Sequence, residues 1–336
     1  MTRRGGARHL DESDVRVRPG RGTRPRSKQR PRHDDAVTGT VLTIDRGRYS
    51  CRVEEDGPPR QVSAMKAREL GRQGVVVGDR VSLVGDVSGD PGSLARVVRV
   101  ASRSTLLRRT ADDDDPVERA IVANADQLVV VTALADPEPR PRLVDRCLVA
   151  AFDAGLDPLL CLTKADLRPL EDLLGMYAPL GVPWVVAGIG RDLTPLQRHL
   201  AGRTSVLVGH SGVGKSTLVN ALVPGADRAT GSVNVVTGRG RHTSSSAVAL
   251  QLPGGGWVID TPGIRSFGLA HVRPEHLITA FPDLDAVTAD CPRGCTHGDG
   301  EPECALDEAV AAGTLDPARV ASYRRLLASR DRQRGD

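Results

Sequence analysis

Aromatic side chains are almost missing from this 336-residue chain, which has three Phe, three Tyr and two Trp. Stacking platforms of the kind used by single-strand nucleic-acid binders therefore have few residues to draw on. Long apolar runs are missing too. None approaches the roughly 20 residues needed to cross a bilayer, which excludes a helical membrane span. The first residues are basic and carry no apolar segment of the signal-peptide type. A cytoplasmic protein with no membrane partner is expected. Cysteine is scarce at six residues. Cys51, Cys147 and Cys161 stand singly in apolar or alternating surroundings, as buried thiols do. Cys291, Cys295 and Cys304 instead cluster around His297 in a short polar stretch. In a cytosolic chain that pattern favours a metal over disulfides.

What is present is unevenly placed. The formal net charge is +4, yet residues 1–33 hold eleven Lys or Arg against Asp11, Glu12 and Asp14, a local +8 that leaves −4 for the rest. This arm is rich in Arg, Gly and Pro and poor in large apolar residues, so disorder over 1–35 is expected. It reads either as a solvated tail or as an RNA-contacting arm with strongly salt-dependent attraction.

Residues 36–104 read as a small β-domain. Val37 to Ile44, Tyr49 to Val53, Val75 to Val77, Arg80 to Val84 and Leu94 to Val100 supply short strand candidates separated by turn signals such as Gly78-Asp79. Five short strands fit an oligonucleotide-binding barrel, and an SH3-like barrel nearly as well. Tyr49 is the only aromatic residue there, so RNA contact would rest on charge and shape. Arg46, Arg48, Lys66, Arg68, Arg72 and Arg80 are available, and are equally ordinary surface cations.

After an acidic run at Asp112–Asp115, residues 105–271 alternate strand and helix patterns. Strands are expected at 127–132, 158–162, 183–187, 205–208, 248–252 and 257–259, the last two as a hairpin. Helices are expected at 142–154, 169–177, 193–200 and 217–222. Near-continuous apolar strands imply a parallel sheet covered on both faces, with ligands beyond the strand carboxyl ends. Residues 272–336 read as a helical region around the Cys/His cluster, ending in a helix from Pro317.

Three motifs follow such strands. Gly209-His210-Ser211-Gly212-Val213-Gly214-Lys215-Ser216 is a phosphate-binding loop: its glycines let backbone N–H groups surround phosphates, and the helix from Thr217 offers its positive end. Lys215 is expected on the β- and γ-phosphates and Ser216 on Mg²⁺. Asp260-Thr261-Pro262-Gly263 would hold Mg²⁺ through water at Asp260 and meet the γ-phosphate at the Gly263 N–H. Thr163-Lys164-Ala165-Asp166 would read guanine. Asp166 accepts from the base N1–H and 2-amino groups, the Lys164 stem covers the ring, and Thr163, standing where Asn is usual, ties the loop to the P-loop. The backbone at Ala187 is a looser match for the guanine O6. Between P-loop and Asp260, Thr243 can complete Mg²⁺ coordination and His242 can orient water. Ile264 occupies the place of the usual water-orienting Gln and cannot polarise water.

In most GTPases the base-reading motif comes last; here it comes first. In that order, with Gly-Arg-His-Thr at 240–243, Asp-Thr-Pro-Gly-Ile-Arg at 260–265 and the Cys/His cluster, residues 37–330 resemble the ribosome small-subunit-dependent GTPases, the circularly permuted family called RsgA or YjeQ. The resemblance implies an oligonucleotide-binding barrel, a permuted P-loop α/β GTPase domain and a helical zinc-binding C-terminal domain. It also implies GTP/GDP binding, hydrolysis stimulated by the small ribosomal subunit, contact with its rRNA late in maturation, and a hydrolytic role for His242. Cys291, Cys295, His297 and Cys304 offer three sulfurs and an imidazole, a donor set for one closed, structural Zn²⁺ site. Their spacing of three, one and six residues differs from the family's usual four and five around the same cluster. Because the loop after Asp260 leads into this region, nucleotide state is expected to reposition it. No interface signal calls for an oligomer, so a monomer is expected. Two other classes compete: a nucleic-acid-binding module whose regulatory nucleotide site does not turn over, and a P-loop ATPase or kinase, against which Lys164 and Asp166 argue.

Overall fold

Alternation builds the first part of the fold. The computed structural model describes residues 33–55, 57–110, 117–188, 190–226, 247–261, 268–269 and 271–330. The basic arm through residue 32, the acidic run at 112–115, and His242, Thr243, Gly263 and Ile264 lie outside the described residues. Strands β1 (Val37–Asp45), β2 (Arg48–Val53), β3 (Arg60–Lys66), β4 (Arg80–Gly85) and β5 (Ala95–Val100) form a barrel. β1 pairs with β2 and β2 with β3, all antiparallel; β3 runs parallel to β5, β5 antiparallel to β4, and β4 returns to β1. This closed ring with one parallel pair is the oligonucleotide-binding arrangement, which the sequence pattern left tied with an SH3-like barrel. Val41, Cys51, Val53, Val62, Ala64, Leu83 and Val97 fill it.

The expected strand at Val75 to Val77 is a correction: the third barrel strand is Arg60–Lys66, whose inward residues are only Val62 and Ala64 and whose outward face includes the apolar Met65. Val75 to Val77 instead lead into a tight turn. Asp79, fully buried, accepts from the Val76 N–H at 2.8 Å and from the Arg103 guanidinium at 2.7 and 2.9 Å. Tyr49 is buried in the barrel core, so the barrel presents no aromatic residue to a base.

A two-stranded sheet of β6 (Leu106–Arg109) and β7 (Arg119–Ala123), not foreseen from the sequence, lies in the chain between the barrel and a run of mostly parallel strands that continues the barrel sheet through β1. That run comprises β8 (Gln127–Ala133), β9 (Asp157–Thr163), β10 (Trp184–Val186), β11 (Thr204–Val208), β12 (Val248–Gln251) and β13 (Trp257–Asp260). Its order is β10-β9-β8-β11-β13-β12, parallel except for β12. Side chains alternate between two apolar cores. Leu128, Val130, Leu160 and Val206 face helix α1 (Pro141–Asp153). Val129, Val131, Leu159 and Leu207 face α3 (Thr194–Leu200) and α4 (Lys215–Leu222). Each fully buried Leu contributes about 1.5–3 kcal/mol over its exposed state. Helix α2 (Glu171–Tyr177) flanks the first core through Leu173 and Tyr177.

Four further helices follow: α5 (Pro274–Ile278), α6 (Pro282–Thr288), α7 (Ala305–Ala311) and α8 (Pro317–Arg330). Phe281, Leu284, Leu306, Tyr323 and Leu326 join the same core as α1 and the sheet. Chain progression runs outward from β8 to β9 to β10, then returns to place β11 on the other side of β8. The crevice between the carboxyl ends of β8 and β11 is therefore a topological switch point, where open α/β sheets bind ligands.

Candidate nucleotide site and metal centre

The motif at 163–166 and the loop at 209–216 meet at that crevice, although 43 residues separate Asp166 from Gly209 in the chain. Thr163 ends β9 in register with Ala133 of β8. Its hydroxyl lies 2.6 Å from the Val213 carbonyl and 3.3 Å from that of Thr132, and donates its single proton best to Val213. Lys164 takes a left-handed backbone (φ 56°), which turns the chain sharply after the strand. Asp166 is exposed, with no hydrogen-bond partner for its carboxylate among the described residues. Ala187 is fully buried, and its N–H donates to the Leu162 carbonyl at 2.9 Å. That N–H is committed to the sheet, so a guanine O6 would have to meet the backbone beyond it.

The loop Gly209 to Ser216 turns where its glycines allow. Gly212 and Gly214 have φ of 87° and 90°, and a Cβ on Gly209 would lie 2.5 Å from the Val131 carbonyl oxygen. Side chains at these three positions would be strained or would clash. His210 is buried against the loop with its Nε2 unpartnered, and burial holds its imidazole below the ordinary histidine range. Ser211 is exposed, while Ser216 and Thr217 are half-buried in the first turn of α4. Lys215, 8% exposed, reaches across to β13. Its ammonium pairs with the Asp260 carboxylate, 2% exposed, and donates to the Thr261 carbonyl at 2.6 Å. The Thr261 hydroxyl donates to the Leu207 carbonyl at 2.7 Å and fixes this strand end beside the P-loop. A buried cation and anion neutralise one another here, which a low-dielectric site requires.

The donors suit Mg²⁺. A buried carboxylate at Asp260 and a hydroxyl at Ser216 flank one helix terminus, and hard oxygen ligands are what Mg²⁺ takes. The segment after β8 carries no recognised motif in the sequence. Its only signal is a Pro-rich Asp-Pro-Glu-Pro-Arg-Pro run directly after a fully buried strand. It carries Asp136, whose carbonyl receives the Lys164 ammonium, and Glu138, which pairs with Arg168.

At the other end of the chain, the ligand atoms of Cys291, Cys295, His297 and Cys304 all lie within 4.8 Å of one another. His297 Nδ1 is 3.5 Å from the sulfurs of both Cys291 and Cys295. Tetrahedral Zn²⁺ with its usual Zn–S and Zn–N bonds puts sulfur and nitrogen about 3.6 Å apart. The donor set therefore fits zinc in spacing and in softness. The left-handed backbone of His297 (φ 58°) turns the ring inward, and its carbonyl receives the Arg324 guanidinium at 3.2 Å. The altered three-and-six spacing is absorbed by turns at Gly294 and Gly300, both left-handed.

A model of the RsgA GTPase family matches residues 100–270. The Small ribosomal subunit biogenesis GTPase RsgA of Pseudomonas aeruginosa is 40% identical over 301 residues, covering 87% of this chain and 85% of the relative. The protein of the same name from Azotobacter vinelandii is 43% identical over 264 residues, covering 76% and 75%. Among solved structures, YjeQ from Thermotoga maritima matches with a TM-score of 0.62 at 27% identity, over 89% of this chain and all of that one. YloQ, a circularly permuted GTPase, shares the fold with a TM-score of 0.63 at 23% identity, over 90% and 97%.

Proposed function

The chain belongs to the RsgA family of circularly permuted GTPases, and from that premise we propose that it hydrolyses GTP on the small ribosomal subunit during the late maturation of that subunit. One observation carries the reading: the hydroxyl of Thr163 bonds the Val213 carbonyl, so the motif for the base and the motif for the phosphates share one crevice despite their reversed order.

In this reading Asp166 accepts from the guanine N1–H and 2-amino groups, and Lys164 covers the ring. Adenine offers no such donor pair, so GTP is preferred over ATP; a site built to hydrogen-bond a donor pair rejects the analogue that lacks it. The backbone from Gly209 to Thr217 would surround the phosphates, and Lys215 would exchange its Asp260 and Thr261 partners for the β- and γ-oxygens. The Asp260 partner of Lys215, together with Ser216 and Thr243, would hold Mg²⁺. The ion would neutralise phosphate charge and fix its orientation. The Gly263 N–H would meet the γ-phosphate. His242 orients the attacking water, a task Ile264 cannot perform. Cys291, Cys295, His297 and Cys304 would hold a structural Zn²⁺. The barrel contacts rRNA through charge rather than stacking, since Tyr49 is internal while Arg46, Arg48, Arg68, Arg72 and Arg80 are exposed. Lys66 is already bonded to the Gln73 carbonyl at 2.7 Å. No helix among the described residues is long and apolar enough to cross a membrane. The working unit is a cytoplasmic monomer.

The test is GTP hydrolysis by purified protein with and without salt-washed small ribosomal subunits, with ATP as control. Stimulation selective for GTP is expected. Equal rates with and without subunits, at verified nucleotide binding, would leave the ribosomal coupling without support. His242→Ala is expected to reduce stimulated hydrolysis while GTP affinity holds.

A further inference from the structure

The base-reading loop is gripped on both sides of Asp166: within its motif by Thr163 and Lys164, and beyond the motif by Arg168. Thr163 supplies the first, through one hydroxyl proton to Val213. A Thr hydroxyl has a single donor where an Asn amide has two, so the tie to the P-loop is the minimum a polar residue can make. The second grip lies two residues past Asp166. Arg168 donates from both terminal nitrogens to the two oxygens of Glu138, at 2.7 and 2.8 Å. This parallel fork fixes direction as well as distance. The Arg168 fork holds the Glu138 carboxyl below its usual range.

Glu138 can serve as an anchor because its own segment is held. The Leu134 N–H donates to the Thr163 carbonyl at 3.0 Å. Pro137 lies against Gly212, where a Cβ would stand 3.5 Å from the Pro137 Cδ. The Asp136 carbonyl receives Lys164, and the Tyr177 hydroxyl donates to the Pro141 carbonyl at 3.1 Å. The loop closes on itself through the Leu167 N–H and the Lys164 carbonyl at 3.1 Å. Asp166 stands between the two grips with no side-chain partner of its own among the described residues, so its position is set by backbone alone.

We infer that Glu138 is a positioning residue for guanine recognition, holding the Asp166 loop in register with the base through its fork to Arg168. This rests on the reading of residues 163–166 as the base-reading motif. Both partners are partly exposed, at 70% for Glu138 and 41% for Arg168, so the effect is modest. Loss of such a pair corresponds to about two- to fivefold in affinity.

The experiment measures release of GDP and of IDP, which lacks the 2-amino group, from Glu138→Gln, Arg168→Gln and the double variant. Each single change is expected to speed GDP release about two- to fivefold. The preference for GDP over IDP should shrink, the double should be no worse than either single, and turnover at saturating GTP should be unchanged. Wild-type release of both nucleotides from both single variants would overturn the inference. So would GDP and IDP loosening by one factor, because that marks general damage rather than a displaced Asp166. Asp166→Asn, tested for a shift toward XDP, runs beside them. If that shift fails, the base-reading assignment itself falls; if it occurs while Glu138→Gln is silent, only the present inference does.

Discussion

The GTPase sheet has a neighbour on each side, and the two junctions are built differently. On the barrel side the junction is a strand bridge and polar contacts around a small apolar seam, where buried Val77 joins the core of the sheet and Leu42 and Ile44 of β1 pack against it. Thr43 of β1 pairs with Val248 of β12, and Arg52 donates to Gln251 at 2.9 Å while its guanidinium lies 5.2 Å from the Trp257 ring centroid. The Ala123 N–H donates to the Val77 carbonyl at 3.0 Å, and Asn124 donates to the Gly78 carbonyl at 2.9 Å. Gly78 must be glycine: its φ is 87°, and a Cβ would fall 2.0 Å from the Ala123 oxygen.

On the Cys/His side the junction is a shared interior. Phe281, Tyr323 and Leu326 lie in the same apolar cluster as Val144 and Leu148 of α1. The arginines of α8 fasten it. Arg325 pairs with the buried Asp145 of α1 at 3.2 Å, donates to the Met176 carbonyl at 2.9 Å and sits over the Tyr177 ring. Arg319 forks onto Asp283 and reaches the Pro179 carbonyl; Arg324 forks onto Asp307. In return Arg146 of α1 donates to the Ser329 carbonyl at 2.7 Å. Moving the Cys/His region relative to α1 would open an apolar core and separate a buried ion pair. Moving the barrel would break a strand bridge and polar contacts and uncover the smaller apolar seam of Val77, Leu42 and Ile44. The expectation that nucleotide state repositions the Cys/His region has to overcome that larger cost.

Four measurements break or sharpen the contrast. The largest effect is expected from metal removal, because structural zinc can contribute about 10–16 kcal/mol of apparent binding free energy to a small module. Chelation should lower the calorimetric transition of the GTPase sheet as well as that of the Cys/His region. A sheet transition that stays in place would deny the shared interior. Next, Arg325→Met leaves Asp145 buried without its cation. Burial already pushes that carboxyl up, with Arg325 opposing. Breaking a buried pair costs about 3–5 kcal/mol, and the partial exposure of Arg325 lowers the expectation to about 2 kcal/mol, read from the urea midpoint. Arg52→Gln is expected to cost under about 1 kcal/mol. It should raise hydrogen exchange at the Thr43–Val248 bridge and leave α1 and α8 unchanged; equal changes at both junctions would erase the distinction.

The smallest effect is one of pH. His271 follows the segment after Asp260, with its Nε2 3.8 Å from Asp153 of α1. Burial lowers its pKa, against the pull of Asp153 and Glu118. The folded state then binds fewer protons than the unfolded one. Its stability contribution is full above about pH 6.5 and declines as pH falls from there toward the folded value. The melting temperature should therefore fall on acidification, with His210 acting in the same direction. His271→Gln should flatten that fall, and an undiminished slope would assign it to other groups.

Periodicity and motif chemistry are local properties, and they made most elements legible in the chain. The parallel strands read as apolar runs because both faces of the sheet are covered. The final helix begins at Pro317, as its proline suggested. The soft donors of Cys291, Cys295, His297 and Cys304 announced a metal before any fold was known. What the sequence left open depended on pairing between distant residues. Barrel type was decided by β3 running parallel to β5, and β3 carried a weak signal because its inward residues are only Val62 and Ala64 while Met65 faces outward. Contact between Thr163 and Val213 required the chain to return to the far side of β8. The arginines of α8 look like any basic helix in sequence. Only packing showed what their charges meet, because partners at Asp145, Asp283 and Asp307 lie 17 to 180 residues away and meet them through the fold alone.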